Sequence, residues 1–269
     1  MAYLDRDGLH FNYRSIGDGL PFVFQHGLGG DVGQPFALFA PPPGVRLLAF
    51  DCRGHGETRP LGEEDGLTFD AFADDLIALL DGLDVPAAVL GGISMGAGVA
   101  LNAAVRYPDR VRGLVLVRPA WLDGPMPART RETYATIAAL IRQHGARRGR
   151  DLFLGSAVYR DALRESPATA ASLLGQFDRP RAEETVAILE RLPAAAPLRD
   201  LTSLASLTVP TLVLANRQDP VHPIEYGQQL VAAIPNARSE EITSKTVSAE
   251  RHTADVQLFV AGFLLPMTH

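Results

Sequence analysis

The chain has 269 residues, of which 46% are hydrophobic and 21% charged, and its formal net charge is −6 at pH 7. Such a length and composition predict a water-soluble globular protein with a full hydrophobic core, built as one α/β domain or as a domain with an insertion. The acidic balance argues against nucleic acid as a partner, and no basic tract or basic amphipathic helix suits a membrane surface.

The sequence carries no sign of export. Its first residues, Met-Ala-Tyr-Leu-Asp-Arg-Asp, lack the apolar core of a signal peptide, and no apolar run approaches the length that spans a bilayer. The single cysteine, Cys52, cannot form an internal disulfide, which fits the reducing cytoplasm. We therefore expect a cytoplasmic protein that binds neither nucleic acid nor membrane.

In chain order, the first predicted elements are strands. Residues 8–16 alternate between apolar and polar side chains, the pattern of a half-exposed edge strand. Residues 21–25 and 45–50 are short apolar runs, predicted as strands buried on both faces. They are followed by glycine-rich loops at 26–30 and 51–56.

The next segments alternate helix and strand. Residues 69–83 have apolar side chains at the period of an amphipathic helix, with Thr68 as a plausible N-cap. Residues 87–90 and 113–117 are again short buried runs. Valine- and leucine-rich strands separated by helices predict an α/β fold with a mostly parallel, twisted sheet and helices on both faces.

The pattern changes near residue 120. Residues 121–200 contain no convincing strand but several helical segments, one of them starting at Ser166-Pro167 with an N-cap and a first-turn proline. The core pattern then returns, and the sequence predicts an α/β core at 1–120 and 201–269 interrupted by a helical cap at 121–200. The remaining core elements are a strand at 209–215, a helix at about 223–233, a strand at 238–243 and a helix at about 254–264.

The most informative stretch is Val89–Ala104, where an apolar run leads into Gly92-x-Ser94-x-Gly96 and then into small helix-forming residues. This is the pattern of a nucleophile elbow, a strand–turn–helix that holds a serine in a strained conformation at the N-terminus of a helix. The glycines are needed because a Cβ at either position would collide with the adjacent backbone. Ser94 is therefore the candidate nucleophile.

A serine nucleophile needs a base and an acid that orients the base. After the elbow, Asp219 follows the predicted strand at 209–215, and His252 lies between the last strand and the last helix. The order Ser94, Asp219, His252 is the one expected of this strand–turn–helix fold. If Asp219 is only a turn residue, Asp123 and Asp255 are the alternatives for the acid.

Taken together, these motifs resemble the α/β-hydrolase family over nearly the whole chain. The length of the cap and the Ser-Met-Gly sequence are most similar to small soluble esterases, lactonases and enol-lactonases. One departure is Asn216-Arg217, where relatives usually carry a glycine ahead of the acid; asparagine tolerates the left-handed conformation better than most residues. The matching residues are His26-Gly27, Asp51-x-Arg53-Gly54-x-Gly56, Gly92-Ile93-Ser94-Met95-Gly96, Tyr107-Pro108-Asp109-Arg110-Val111, Asp219 and His252.

The resemblance implies a role for each residue. Ser94 would attack the acyl carbon, His252 would transfer the proton, and Asp219 would orient the imidazole. The backbone N–H groups of Leu28 and Met95 would form the oxyanion hole. No metal and no other cofactor is expected, because no cluster has zinc-ligand spacing and the glycines near residue 27 lack the rest of a dinucleotide fingerprint.

A pocket for a small, mostly apolar substrate is expected between cap and sheet. Its candidate lining residues are Trp121, His26, His222 and Phe153. The favoured alternative for His26 is a buried, hydrogen-bonded support of its loop, and for His222 it is a hydrogen-bonded loop histidine. The predicted cap holds twelve arginines and ten acidic residues, which either coat solvated helices or place one arginine against an anionic substrate.

The leading hypothesis is a cofactor-free serine hydrolase that cleaves small-molecule carboxylic esters or lactones through an acyl-enzyme. Alternatives with the same triad are a carbon–carbon bond hydrolase and a perhydrolase or haloperoxidase. Aspartate-nucleophile chemistry is disfavoured because residue 94 is serine. A hydrolase-like ligand receptor is a remote alternative from another class, supported only by analogy of fold.

Overall fold

The computed structural model describes residues 2–268. Within them, eight strands form one sheet: β1 (Ala2–Arg6), β2 (Leu9–Ile16), β3 (Leu20–Gln25), β4 (Val45–Phe50), β5 (Ala88–Ile93), β6 (Val111–Val117), β7 (Thr211–Ala215) and β8 (Ala237–Glu241). Their order in the sheet is β1-β2-β4-β3-β5-β6-β7-β8. Strands β3 to β8 pair in parallel, whereas β1 with β2 and β2 with β4 are antiparallel.

The mostly parallel sheet confirms the predicted fold class, but its antiparallel end differs from the prediction. Strand β2 was expected at the edge, yet it pairs with β1 on one side and with β4 on the other. The true edge strand, β1, is only five residues long and has no fully buried side chain. Because such a strand carries almost no hydrophobic signal, the sequence does not reveal it.

The helices cover both faces of this sheet. Along β3, Phe22 and Phe24 point into one apolar cluster, with the last helix of the chain, while Val23 points into the other. This alternation is the consequence of the two-residue period of a strand. The helices are α1 (Gly33–Leu38), α2 (Phe69–Gly82), α3 (Met95–Arg106), α4 (Ala128–Leu154), α5 (Ala157–Glu165), α6 (Pro167–Leu174), α7 (Ile188–Ala194), α8 (Ile224–Ala233) and α9 (Ala249–Leu264).

Two of the predicted helix starts are confirmed in detail. The Thr68 hydroxyl accepts a hydrogen bond from the N–H of Ala71 at 3.1 Å, so Thr68 caps α2. The Ser166 hydroxyl caps α6 in the same way, through the N–H of Thr169 at 3.1 Å. These caps satisfy backbone donors that the first helical turn leaves unpaired.

Four helices, α4 to α7, occupy the stretch between β6 and β7, and no strand lies within the described residues 118–210. Helix α4 is interrupted at Gly145, whose positive φ of 74° breaks the helical path. Helices α5 and α6 pack against α4, as does α7. Residues of α4 and α6 line one cavity together with Ser94, which follows β5, and His222, which follows β7. No helix within residues 2–268 is long and apolar enough to cross a bilayer.

The last helix begins earlier than predicted. Helix α9 starts at Ala249 rather than near residue 254, and the Ser248 hydroxyl caps it by accepting the N–H of Arg251 at 3.2 Å. His252, expected in a loop, therefore lies in the first turn of α9. This difference decides which histidine can reach the candidate nucleophile.

Candidate active site

Ser94 lies in a tight turn between β5 and α3. Its φ of 56° is in the left-handed region, which is strained for a residue with a side chain. A Cβ on Gly92 would lie 2.2 Å from the carbonyl carbon of Gly96, and a Cβ on Gly96 would lie 2.4 Å from the carbonyl oxygen of Gln25. The two glycines are therefore required by close backbone approach, as the motif predicts.

The histidine in contact with this serine is His222. Its Nε2 lies 2.8 Å from the Ser94 Oγ, and its Nδ1 lies 2.9 Å from Oδ1 of Asp219. All three side chains come from the C-terminal edge of the parallel sheet, Ser94 after β5 and the other two after β7. The arrangement of hydroxyl, imidazole and carboxylate is that of a catalytic triad.

The prediction that His252 would lie next to Ser94 is wrong for this structure. The His252 side chain is fully buried, its Nδ1 hydrogen-bonds the carbonyl oxygen of Thr243 at 2.9 Å, and its Nε2 has no hydrogen-bond partner among residues 2–268. Since α9 already begins at Ala249, the helix holds the imidazole against the end of β8. His252 is thus a buried packing residue in this conformation.

The loop after β7 folds back to place His222. The N–H of His222 donates to the carbonyl oxygen of Asp219 at 3.2 Å, and the N–H of Val221 donates to the Asp219 carboxylate at 3.3 Å. The left-handed residue of this loop is Gln218, with φ 60°, rather than Asn216. Asp219 and His222 therefore both lie in one short turn, and the position of neither depends on a second loop.

The two alternative acids lie elsewhere. The Asp123 carboxylate accepts the N–H of Leu201, and the Asp255 carboxylate accepts the N–H of Thr243 at 2.7 Å. Neither contacts His222, whereas Asp219 does.

Arg118, at the end of β6, completes the cluster and was not anticipated from the sequence. Its guanidinium contacts Oδ2 of Asp219 through Nε at 3.0 Å and through Nη2, and Nη2 also lies 3.1 Å from the Nδ1 of His222. The available signal was one arginine directly after the buried run at 113–117. That position lies on the sheet edge where ligands bind in open α/β folds.

These charges set the protonation of the pair. Burial raises the pKa of Asp219, but the charges and hydrogen bonds of His222 and Arg118 outweigh burial and hold that pKa well below its ordinary value. Burial lowers the pKa of His222 below 6.5; the Asp219 carboxylate opposes this shift and Arg118 adds to it. At neutral pH the carboxylate is therefore ionised and the imidazole neutral, the state in which it can accept a proton.

The loop at 26–30 lies directly against the elbow. A Cβ on Gly27 would be 3.5 Å from the Cβ of Ser94, and the N–H of Gly27 is held by Oε1 of Gln34 at 2.7 Å. The N–H groups of Leu28 and Met95 have no hydrogen-bond acceptor within the described part of the chain. Met95 is the first residue of α3, where the helix itself supplies no acceptor.

His26, one of the expected pocket residues, supports this loop instead. It is fully buried, its Nδ1 donates to the carbonyl oxygen of Gly27 at 2.9 Å, and its Nε2 accepts the N–H of Cys52 at 3.1 Å. Burial lowers its pKa, which keeps the imidazole neutral and this pair of hydrogen bonds intact. His26 thus ties the loop after β3 to the loop after β4.

A cavity of about 280 Å³ opens above Ser94. It lies between the sheet edge and helices α4 and α6, and a second cavity of about 340 Å³ shares Thr169, Leu173 and Val221 with it. Of the predicted pocket residues, only His222 lines the cavity at Ser94. The residues of the cap, loop and elbow that line it include Leu28, Ser94, Tyr134, Thr169, Ser172 and Lys245.

Trp121 and Phe153 were expected to line the pocket and do not. Trp121 is 1% exposed and packs edge-on against Phe69, while Phe153 packs against Tyr159 and Phe177 inside the cap. Both are large apolar side chains that are completely buried in the hydrophobic core. From sequence alone, such residues cannot be assigned to core or cavity.

No cap arginine lines the cavity at Ser94; the cations there, Arg118 and Lys245, come from the ends of core strands. Several cap arginines are instead engaged in exposed ion pairs, for example Arg142 with Glu190 and Arg150 with Asp178. Among residues 2–268, no group of three or more His, Cys, Asp or Glu side chains is placed to hold a metal ion.

The chain has clear relatives in sequence and in fold. A family model described as alpha/beta hydrolase fold matches residues 21–245, and the chain belongs to that family. The 2-hydroxymuconate semialdehyde hydrolase of Pseudomonas putida is 30% identical over 243 residues, which are 86% of this chain and 82% of that protein. A non-heme chloroperoxidase of Kitasatospora aureofaciens is 41% identical over 115 residues, only 42% of this chain and 41% of that protein.

A solved structure of high similarity is the enol-lactonase from Burkholderia xenovorans LB400. It is 25% identical, covers 98% of this chain and 99% of its own, and superposes with a TM-score of 0.74. The resemblance to esterase- and lactonase-like α/β-hydrolases noted in the sequence is thereby confirmed. These matches support the assignment of this chain as a hydrolase.

Proposed function

We propose that the protein is a serine hydrolase that cleaves carboxylic esters or lactones, with Ser94 as nucleophile, His222 as general base and acid, and Asp219 as the acid that orients His222. The observation that carries this proposal is the 2.8 Å contact between the Ser94 Oγ and the His222 Nε2, with Asp219 on the opposite nitrogen. The similarity to an enol-lactonase over the whole chain supports the choice of substrate.

In the acylation step, Nε2 of His222 removes the Ser94 hydroxyl proton as Oγ attacks the carbonyl carbon. The carbonyl becomes a tetrahedral oxyanion, and the N–H groups of Leu28 and Met95 are free to stabilise it. Collapse of this intermediate breaks the bond to the alkoxy oxygen, which takes the proton from the imidazolium. The product is an acyl ester on Ser94.

In the deacylation step, His222 takes a proton from water, and the resulting hydroxide oxygen attacks the acyl carbon. A second oxyanion forms at the same donors, and its collapse returns the proton to Ser94 and releases the acid. Asp219 stays ionised throughout and stabilises the imidazolium in both steps. Arg118 keeps that carboxylate ionised and in place.

The test compares three variants on small esters. Ser94→Ala and His222→Gln are expected to lower kcat on p-nitrophenyl acetate or butyrate by at least about 1000-fold, because each removes a member of the triad. His252→Gln, the matched control, is expected to keep kcat within about threefold, since His252 contacts Thr243 and not Ser94. Urea unfolding of each variant shows that it is folded.

Loss of activity in His252→Gln with retention in His222→Gln would reject this triad and restore the one expected from the sequence. Unchanged turnover in Ser94→Ala would reject the acyl-enzyme altogether. Labelling of Ser94 by a fluorophosphonate, located by mass spectrometry, gives an independent measure of its nucleophilicity. A panel of lactones, diketones and acetate with peroxide then compares the reactions open to the same three residues.

A further inference from the structure

The only lysine in the sequence lines the cavity at Ser94. The other 24 basic side chains are all arginine, whereas Lys245 follows β8 and faces the cavity together with Ser94 and His222. It is half-buried, and among residues 2–268 it makes no hydrogen bond or ion pair. Burial and the charge of Arg118 lower the pKa of Lys245, and the Asp219 carboxylate, which does not contact it, opposes them only in part. A partly buried ammonium that contacts no anion is unfavourable and needs a reason.

The cavity is cationic although the chain as a whole is acidic. Arg118 and Lys245 both line it, and no Asp or Glu is among its described lining residues. The Asp219 carboxylate lies behind the wall and is already engaged, Oδ1 with His222 and Oδ2 with Arg118. Protonation of His222 during catalysis would add another positive charge. The positive charges of Arg118, Lys245 and protonated His222 would then outnumber the single negative charge of Asp219.

Three hydroxyl groups lie on the cap side of the same cavity. Tyr134, Thr169 and Ser172 line it, and within residues 2–268 none of these hydroxyls is hydrogen-bonded to another group. A carboxylate accepts up to about four hydrogen bonds, so an ammonium from the core and hydroxyls from the cap form a suitable set of donors. The burial that lowers the pKa of Lys245 would be offset by such an anion.

We propose that Lys245 binds a carboxylate of the substrate, and that the preferred substrate is an ester or lactone that carries a second, ionised carboxyl group. This inference rests on the proposed hydrolase function and specifies its substrate class. The carboxylate lies against the Lys245 ammonium while the scissile carbonyl lies over Ser94. Lys245 acts in substrate binding and takes no part in proton transfer, because the Ser94 hydroxyl is already hydrogen-bonded to Nε2 of His222.

The test uses two esters that differ only in this charge. Monomethyl glutarate and methyl pentanoate have the same chain length, one ending in a carboxylate and the other in a methyl group. Hydrolysis is followed by titration at pH 8, where His222 is neutral and a change in its pKa has little effect on the rate. The variants are Lys245→Met, which keeps the chain length without the charge, and Lys245→Arg, which keeps the charge.

Wild type is expected to favour monomethyl glutarate in kcat/KM by at least about tenfold. Lys245→Met should lose about 10- to 100-fold on this ester, chiefly through KM, and less than about threefold on methyl pentanoate, as expected when a hydrogen bond to a charged group is lost. Lys245→Arg should recover part of the preference. Equal loss on both esters, or no preference in wild type, would overturn the proposal.

A binding measurement separates this inference from the hydrolase proposal. Monomethyl glutarate is titrated calorimetrically into Ser94→Ala and into Ser94→Ala with Lys245→Met, neither of which requires turnover. Binding that weakens about tenfold or more in the second protein supports the role of Lys245 even if the hydrolase proposal fails. Equal binding by the two proteins rejects it.

Discussion

Each oxygen of the Asp219 carboxylate has its own partner. Oδ1 faces Nδ1 of His222 and Oδ2 faces the guanidinium of Arg118. Because an ionised carboxylate only accepts hydrogen bonds, it requires the proton of neutral His222 to be on Nδ1. Nε2 is then the acceptor that faces the Ser94 hydroxyl, which is the tautomer that general-base catalysis needs.

The short contact between Arg118 Nη2 and His222 Nδ1 fits the same assignment. In the productive tautomer both nitrogens are donors, so their 3.1 Å separation is not a hydrogen bond but a consequence of sharing one carboxylate. Arg118 thus positions Asp219 while its charge opposes protonation of His222. A neutral imidazole at pH 7 is the outcome of this balance.

His252 illustrates a different use of an imidazole. It lies in the first turn of α9 and is buried against the end of β8. Burial lowers its pKa from 6.5 to about 4, against the raising effect of the hydrogen bond to Thr243. The unfolded chain takes up a proton near pH 6.5 and the folded one near pH 4. The contribution of neutral His252 to stability is therefore complete above 6.5 and is lost as the pH falls towards 4.

We predict that His252→Gln reduces the acid sensitivity of folding. Between pH 6.5 and 4 the free energy of unfolding should fall less steeply in the variant than in wild type, by up to about 1.4 kcal/mol per pH unit, the slope for one proton. Urea unfolding at several pH values measures both slopes. His144→Gln, at an exposed position of α4, is measured alongside as the matched histidine-to-glutamine control. Parallel curves for wild type and His252→Gln would contradict this role.

At the scale of elements, the turn between β5 and α3 is the most constrained. Its glycines permit β5, α3 and the loop after β3 to approach within backbone contact. The strain at Ser94 is maintained because β5 is fully buried and paired on both sides. A rigid scaffold of this kind holds the Ser94 hydroxyl in one orientation.

We predict that Gly92→Ala destabilises the fold and abolishes activity. The new methyl group would overlap the Gly96 backbone, which cannot move aside as a side chain can, so we expect a loss of about 1–3 kcal/mol or more in unfolding free energy. Gly262→Ala, in α9 with open space around its Cα, should instead gain about 0.5–1 kcal/mol. Urea unfolding and ester hydrolysis of both variants check this contrast. A Gly92→Ala protein as stable and active as wild type would refute it.

The elements that the sequence predicted best are those whose signal is purely hydrophobic. Residues 45–50 form β4 as expected, because a strand buried on both faces is a continuous apolar run. The start of α9 was missed, since its first turn, at residues 249–253, carries no apolar periodicity and depends on the Ser248 cap. The choice between His222 and His252 therefore could not be made from motif order.

Two residues of the site could hardly be predicted from the sequence. Arg118 ends a buried strand, and Lys245 is a single lysine among arginines, but neither belongs to a motif with fixed spacing. Their place in the site depends on which strand ends adjoin in the sheet, and that is a property of strand order. Ser94 and Asp219, in contrast, follow from strand–turn signals that lie within a few residues of them.

At the scale of the whole molecule, cap and core meet at the loop that carries the candidate oxyanion donor. The Gln176 side chain, which follows α6, donates through Nε2 to the carbonyl oxygen of Leu28 at 3.3 Å and packs against Gly29. The φ of 76° at Gly29, together with this close approach, requires glycine there. The cap therefore fixes the conformation of the 26–30 loop as well as covering the cavity.

We predict that Gln176→Leu lowers kcat by roughly tenfold while the protein stays folded. Leucine keeps the bulk against Gly29 but cannot hold the Leu28 carbonyl, and small displacements of groups that stabilise the transition state reduce turnover strongly. The control is Arg191→Met, which removes the exposed ion pair between cap and Asp65, away from the loop. Because such a pair contributes little, Arg191→Met should leave kcat unchanged. Steady-state kinetics measures the effect on kcat, and urea unfolding measures the effect on stability. Equal kcat in both variants would show that the 26–30 loop keeps its conformation without the Gln176 hydrogen bond.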